Sequence, residues 1–144
     1  MHGRVLAIDL GDVRVGLALS DPLGITAQPY ETLKRLGDRQ DLDRIVGHVR
    51  MHDVRRVIVG LPLLMSGEEG SRAHSAREFA ARLATRLGEV PVEMWDERLT
   101  TVQAERALLA GDMRRRKRRD VVDRLAAVLI LQNWLDSRVA SGKG

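Results

Sequence analysis

Short apolar runs separated by polar turns mark the first quarter of the chain. Residues 5–8 and 15–19 are apolar and are joined by a polar, glycine-containing turn at residues 11–12, which predicts a β-hairpin. A third run over residues 25–33 contains Pro29, whose nitrogen has no proton to donate, so we expect it at the edge of a sheet. The pattern predicts three antiparallel strands at the start of the fold.

The pattern then changes to a helical period. Apolar residues recur at positions 42, 45, 46 and 49 between Gly37 and Asp53, which predicts a first helix. The following segment, residues 54–61, is rich in β-branched apolar residues and predicts a buried strand.

A second helix is predicted from apolar residues at positions 76, 79, 80, 83, 84 and 87, and it ends at Gly88. Ser66 and Glu69 have the spacing of a capping box, so we expect this helix to begin near Ser66. Residues 90–95 then predict a short strand.

Two more helices complete the pattern. Thr100 and Gln103 form a second capping-box pattern, which predicts a helix to about Ala110. Residues 121–135 are apolar nearly all round, Leu125 included, and predict a buried helix on the sheet. The fold class is therefore α/β, with a mixed five-stranded sheet (three antiparallel strands, then parallel strands) and helices on both faces.

Length and composition indicate the number of domains and the cellular compartment. A chain of 144 residues predicts one domain, which we place at residues 1–138, with residues 139–144 as a flexible tail. No cysteine is present, which excludes disulfides and thiolate metal sites. Uncharged apolar stretches are far shorter than the roughly 20 residues of a membrane span, and Asp9 interrupts the apolar start too early for a signal peptide. We expect a cytoplasmic protein that does not enter a membrane.

Positive charge is concentrated in one segment. The formal net charge is +4, but six consecutive basic residues carry more than that, so the rest of the chain is net negative. Such clustering favours a polyanionic partner such as nucleic acid, although a solvated loop also explains a charge run. The six residues expected to contact phosphate are Arg114, Arg115, Arg116, Lys117, Arg118 and Arg119.

Carboxylates follow the predicted strands. Asp9 ends the first apolar run, and Asp96 and Glu97 end the last predicted strand. If these strands are parallel, their carboxyl ends meet on one side of the sheet, where Asp9 and Glu97 could converge. Asp120 and Asp123 lie three residues apart at the start of the last predicted helix, so both project from one face. Oxygen ligands of this kind suit Mg²⁺ or Mn²⁺.

Two such ions about 4 Å apart can activate water and stabilise the leaving oxygen of a phosphodiester, which predicts a nuclease. Each acid also has a structural explanation. Asp9 could cap a strand end, Glu97 could pair with Arg98, and Asp120 and Asp123 could cap a helix. Spacing alone leaves both interpretations open.

Four motifs in order resemble the YqgF/RuvX family. They are DLGDVRVGLALSD at residues 9–21, VGLPL at 59–63, DERLTT at 96–101 and VDRLAAVLIL at 122–131. The resemblance covers nearly the whole chain and implies an RNase H-like fold. Members of this family are described as Holliday-junction resolvases or as nucleases that mature the 5′ end of pre-16S rRNA.

By this resemblance, Asp9, Glu97 and Asp123 occupy the positions of the family's acidic metal-binding residues, and they are our candidate catalytic residues. Asp12 departs from the small or basic residue that is usual in the first turn. Asp120 stands where the family has no invariant acid, so it is either a fourth metal ligand or a helix cap.

Residues near these acids are candidates for contact with the phosphates of nucleic acid. Arg14 and Arg98 suit bidentate contacts with phosphate, or they neutralise the adjacent acids. Thr101 lies at a predicted helix start, where hydroxyl and N–H groups bind phosphate. His48 and His52 have a zinc-binding spacing, but no third ligand is evident, so we interpret them as surface residues.

The resulting prediction is a nuclease that depends on Mg²⁺ or Mn²⁺ and acts on structured nucleic acid, either pre-16S rRNA or branched DNA. The alternative is a non-catalytic nucleic-acid-binding module with the same fold. Aromatic residues are few, so recognition should depend on phosphates and shape more than on bases. Junction cleavage would favour a homodimer, because two strands are cut symmetrically.

Overall fold

The chain's structure is a computed structural model that describes residues 3–99 and 115–140, with side chains in the second range from 125 to 139. Within these ranges the strands are β1 (Arg4–Leu10), β2 (Arg14–Ser20), β3 (Ala27–Lys34), β4 (Val54–Leu61) and β5 (Val92–Asp96). They form one sheet in the order β3-β2-β1-β4-β5. The first three strands pair antiparallel, whereas β1, β4 and β5 are parallel. The predicted mixed sheet is confirmed.

The turn between β1 and β2 is closed by the Gly11 N–H, which donates to the Arg14 carbonyl at 2.9 Å. β3 lies at the edge of the sheet, as Pro29 predicted, and the register between β2 and β3 shifts next to the Pro29–Ala18 pair. Because β1, β4 and β5 run parallel, their carboxyl ends meet at one edge, and this edge carries the predicted acids.

Helices cover both faces of the sheet. On one face, α1 (Asp38–Met51) and α2 (Ser71–Leu87) pack against alternate residues of the central strands, forming a core that includes Leu6, Ile8, Leu42, Ile45, Val57, Val59, Phe79 and Leu83. On the other face, α3 (Arg115–Ala140) packs against the intervening residues, and this core includes Val5, Ala7, Ala18, Ile58, Ala127, Ile130, Leu131 and Trp134. Burying each large aliphatic side chain stabilises the fold by about 1.5–3 kcal/mol.

The start of α2 differs from the prediction. The helix begins at Ser71, and no described side chain hydrogen-bonds its first turn. The Ser66 hydroxyl accepts instead from the Glu68 N–H at 3.3 Å, and Glu69 pairs with Arg77 at 2.6 Å. The Ser66–Glu69 capping box is therefore wrong, because both side chains have other partners. The predicted end at Gly88 is confirmed.

α3 is longer and more one-sided than predicted. It runs from residue 115 to residue 140, so it includes residues 139 and 140, which were expected in a flexible tail. The predicted packing of this helix on the sheet is confirmed, since Ala127 and Ile130 are completely buried, but Leu125 is 36% exposed, so the helix is not buried on all sides. The helix predicted over residues 100–110 lies outside the described residues. No helix in the described ranges is long and apolar enough to span a bilayer.

Candidate functional site

Asp9 lies near the carboxyl end of the middle strand. It pairs with Gly16 of β2. On the β4 side the last pair is Ile8 with Val59, and one further step along both parallel strands leads to Asp9 and Gly60. Successive side chains of a strand point to opposite faces, so Asp9 lies on the same face as Ala7, which packs under α3. Asp9 is only 3% exposed. Its carboxylate therefore lies at a strand end, as predicted, but in a buried position.

Glu97 directly follows β5 and begins a single 3₁₀ turn, Glu97–Leu99. It is 2% exposed. Its carboxyl carbon lies 3.3 Å from the point that a Cβ on Gly60 would occupy. Gly60 has no side chain, and the glutamate occupies the space that this leaves above β4.

Gly60 thus lies next to both buried carboxylates. Asp9 is its neighbour in register on one side, and the Glu97 carboxylate lies over it on the α3 face. Adjacent strands are about 4.8 Å apart, so both acids are within the reach of one small ionic site. Ile130 of α3 closes this region, because its Cδ1 lies 2.7 Å from the same Cβ point on Gly60. Asp9 and Glu97 both lie at the carboxyl ends of strands that run parallel to β4.

The third predicted acid comes from α3. The helix backbone contains Asp120 and Asp123, and Asp123 lies one turn before the buried Ala127. The side chains of both aspartates lie outside the described part of the chain. Among the residues with described side chains, no cluster of three histidines or acids could hold a metal ion. Asp9 and Glu97 are therefore two candidate ligands, and Asp123 is the candidate for the third.

Arg98 pairs with Asp96, and this contact differs from the pairing with Glu97 considered from the sequence. Arg98 Nη2 donates to Asp96 Oδ2 at 2.8 Å, and the Arg98 N–H donates to Asp96 Oδ1 at 2.9 Å. The guanidinium holds the pKa of Asp96 below its ordinary value, and the same pair raises the pKa of Arg98. The connection between β4 and α2 passes close to the Arg98 guanidinium, since a Cβ on Gly67 would lie 3.2 Å from Arg98 Nη1. Arg98 is thus held at the rim beside Glu97.

The other predicted phosphate contacts are only partly described. Arg14 is the first residue of β2, beside the turn that follows the Asp9 strand. Thr101 and Arg114 lie outside the described residues. The remaining basic residues, 115–119, form the first turns of α3, and their side chains are likewise outside the described part.

Sequence reasoning missed a buried ionic cluster next to the turn between β1 and β2. Asp41 is completely buried and pairs with Arg35 at 2.7 Å and with Arg44. Arg35 Nη1 in turn donates to the Gly11 carbonyl at 2.9 Å. Burial raises the pKa of Asp41, but the Leu36 N–H and the two arginines outweigh burial and hold this pKa below its ordinary value. The contact between Arg35, which directly follows β3, and Gly11 joins residues 24 positions apart, which no local spacing reveals.

Comparisons with solved structures define the class of fold. The chain is similar to Thermus thermophilus RuvC in complex with a Holliday junction substrate, with a TM-score of 0.62 and 17% identity over 97% of this chain and 98% of that one. It is also similar to a second T. thermophilus RuvC structure, with a TM-score of 0.54 and 19% identity over 95% and 96% of the two chains. The RNase H-like fold is therefore confirmed.

Comparisons of sequence define the family. Residues 3–137 match the family model described as RuvX, Holliday junction resolvase. Relatives from Koribacter versatilis (50% identity, covering 96% of this chain and 90% of the relative) and Myxococcus xanthus (48%, covering 93% and 88%) carry the name "Putative pre-16S rRNA nuclease". The chain belongs to the RuvX (YqgF) family of nucleases.

Proposed function

We propose that this chain is a divalent-metal-dependent nuclease that hydrolyses phosphodiester bonds of structured nucleic acid. One observation carries the proposal: two buried carboxylates, Asp9 and Glu97, lie on the α3 face of the sheet next to Gly60. In this proposal Asp123 is the third metal ligand. Asp120 is either a fourth ligand or a helix cap.

The donor set fits a hard cation. Asp9 and Glu97 offer only carboxylate oxygens, which suit Mg²⁺ or Mn²⁺. When bound, such ions supply a water of lowered pKa and stabilise charge on the leaving oxygen. The chain's own contribution is a rigid position for each acid, because β1 and β5 are fixed by pairing to β4 and Ile130 closes the region above Gly60.

In this proposal, arginine residues around the acids contact the phosphate backbone of the substrate. Arg98 is the strongest candidate, because Asp96 fixes its guanidinium beside Glu97 while its side chain is still 37% exposed. Arg14, Thr101 and residues 114–119 extend this surface in the proposal. A basic surface of this kind contacts phosphates and contributes affinity without reading sequence.

Pre-16S rRNA is the first substrate to test, because relatives of 50% and 48% identity are named for it. A four-way DNA junction is the second, because the family description names Holliday junction resolution. The metal chemistry is the same for both substrates, so substrate shape must decide between them.

The test is cleavage of a labelled pre-16S 5′-leader RNA and a labelled four-way junction with Mg²⁺, Mn²⁺ or chelator. Asp123→Asn is the main variant, and Asp12→Asn is a matched control, since Asp12 is an exposed acid in the nearby turn. We expect metal-dependent cuts, a loss on the order of 10³-fold in Asp123→Asn, and near wild-type rates in the control. Tight binding of either substrate without cleavage would support a non-catalytic binding module and overturn the proposal.

A further inference from the structure

A cluster of nitrogen and oxygen donors lies on the opposite face of the sheet from the acids. The Tyr30 hydroxyl, on edge strand β3, lies 2.7 Å from His48 Nδ1 and 2.8 Å from His52 Nε2. Both rings meet the phenol edge-on, with centroids 5.1 and 5.0 Å away. Two imidazole nitrogens thus lie within hydrogen-bond distance of the same phenol oxygen, and the phenol is the third potential ligand that the sequence did not reveal.

The outer ring nitrogen of His48 faces a carboxylate. His48 Nε2 lies 3.4 Å from Glu31 Oε2, next to Tyr30 on β3. The ring nitrogen that faces Tyr30 is thus Nδ1, and the ring nitrogen that faces the carboxylate is Nε2. Metal-binding histidines commonly show this arrangement, with one nitrogen on the metal and the other held by a carboxylate.

The backbone makes the cluster rigid. His48 lies in the last turn of α1, and the His52 N–H donates to the His48 carbonyl at 3.1 Å, which fixes the two rings one helical turn apart. Tyr30 packs against the core between the sheet and α1. Tyr30 and His48 are therefore placed by β3 and α1, and His52 is the residue that directly follows α1.

The spacing of the donors suits a transition metal. Metal–nitrogen and metal–oxygen bonds of about 2.0–2.2 Å place ligands about 2.9 Å apart at right angles and about 3.3 Å apart in a tetrahedron. The observed distances of 2.7 and 2.8 Å need to open by only a few tenths of an ångström for right-angled coordination. Among the divalent ions Ni²⁺, Cu²⁺ and Zn²⁺, nitrogen and oxygen ligands generally bind Cu²⁺ most tightly.

We propose that Tyr30, His48 and His52 form a divalent transition-metal site, with Glu31 as the carboxylate that orients His48. The metal would join the edge strand β3 to the end of α1. On binding, the phenol proton passes to solvent and the phenolate oxygen becomes the third ligand. The proposal is independent of the acids on the other face.

The test is calorimetric titration of the full chain with Cu²⁺, Ni²⁺ and Zn²⁺ at pH 7.5. Excess Mg²⁺ is present in each of the three titrations so that it competes for sites that have only oxygen ligands. The test variants are His48→Ala, His52→Ala, Tyr30→Phe and Glu31→Gln. The matched controls are His2→Ala and His74→Ala, which change the chain's two other histidines. Visible absorption of the copper complex reports the phenolate ligand directly.

We expect one equivalent of Cu²⁺, retained in both controls and lost in His48→Ala and His52→Ala. Glu31→Gln should weaken binding by about 10–100-fold. Tyr30→Phe keeps the ring that packs in the core, so it should fold normally but lose the charge-transfer absorption of copper phenolate. Absence of binding in the wild type, equal binding in the histidine variants, binding lost in His2→Ala, or unchanged absorption in Tyr30→Phe would overturn the proposal.

Discussion

Gly60→Ala is the substitution that most directly probes the region between the two acids. The new Cβ would lie 2.7 Å from Ile130 Cδ1 and 3.3 Å from the Glu97 carboxyl carbon. The first distance is shorter than real Cβ contacts allow, and Ile130 is completely buried, so it has little room to move. The methyl group must therefore displace the α3 side chain, the Glu97 carboxylate or both.

The expected change in the free energy of unfolding is the difference between two effects. Overpacking a filled core costs about 1–3 kcal/mol. Replacing glycine by alanine within a strand recovers roughly 0.5–1 kcal/mol of backbone entropy. Gly60→Ala should therefore lower the free energy of unfolding by about 0.5–2 kcal/mol. Its effect on cleavage should be larger, since a shift of about 1 Å in a reacting group costs about 10²-fold in rate.

Ile130→Val removes the clashing methyl group and provides the matching half of a double-mutant cycle. Alone it should cost about 0.5–1.5 kcal/mol. Combined with Gly60→Ala it should cost no more than it does alone, which gives a favourable coupling of about 1 kcal/mol. Urea unfolding of the four proteins measures the coupling, and cleavage rates show whether activity stays low while stability returns. Additive stabilities would refute the packing argument, and wild-type cleavage by Gly60→Ala would refute the placement of Glu97.

Three other predictions concern the surroundings of the site. Asp41→Asn should lower the free energy of unfolding by about 2–4 kcal/mol, because Arg35 and Arg44 lose a buried partner. The pKa of Asp41 is lowered in the folded state, so the stability that Asp41 contributes is complete above about pH 4 and is lost as pH falls further. The free energy of unfolding of the wild type should therefore decrease as pH falls below about 4, and that of Asp41→Asn should depend less on pH in the same range. Arg98→Lys should leave the unfolding midpoint unchanged but weaken nucleic-acid binding about tenfold in filter binding, because the forked donor is lost; unaltered affinity would remove Arg98 from the phosphate surface. Neutralising residues 114–119 should reduce the slope of log affinity against log salt by up to about 5, and an unchanged slope would show that the segment does not contact the substrate.

Periodicity and turn chemistry were sufficient for most of the fold. The hairpin at residues 11–12, the edge position of Pro29 and the end of α2 at Gly88 are local features, and each was predicted correctly. The start of α2 was not, because Ser66 has a nearer N–H partner in the loop and Glu69 pairs with an arginine two turns into the helix. Spacing identifies residues able to form a cap but not the competing partners.

The candidate site depended on pairing that the sequence shows only indirectly. Asp9 and Glu97 are 88 positions apart, and both reach the same edge of the sheet because β1 and β5 each run parallel to β4. The role of Gly60 as the space for Glu97 appears only when α3 is packed on the sheet. Tyr30 was missed beside His48 and His52 for the same reason, since β3 and α1 meet through tertiary packing.

The central claim is that Asp9 and Glu97 act as one catalytic unit, and a double-mutant cycle on cleavage tests it most directly. The proteins are wild type, Asp9→Asn, Glu97→Gln and the double variant, each checked for folding by circular dichroism and assayed with saturating Mn²⁺ on the substrate that the wild type cleaves faster. Residues that act as a unit are strongly non-additive. We predict that each single variant loses on the order of 10³-fold in rate and that the double variant loses no more than either one. Losses that multiply, or a single variant that cleaves at the wild-type rate, would contradict the account.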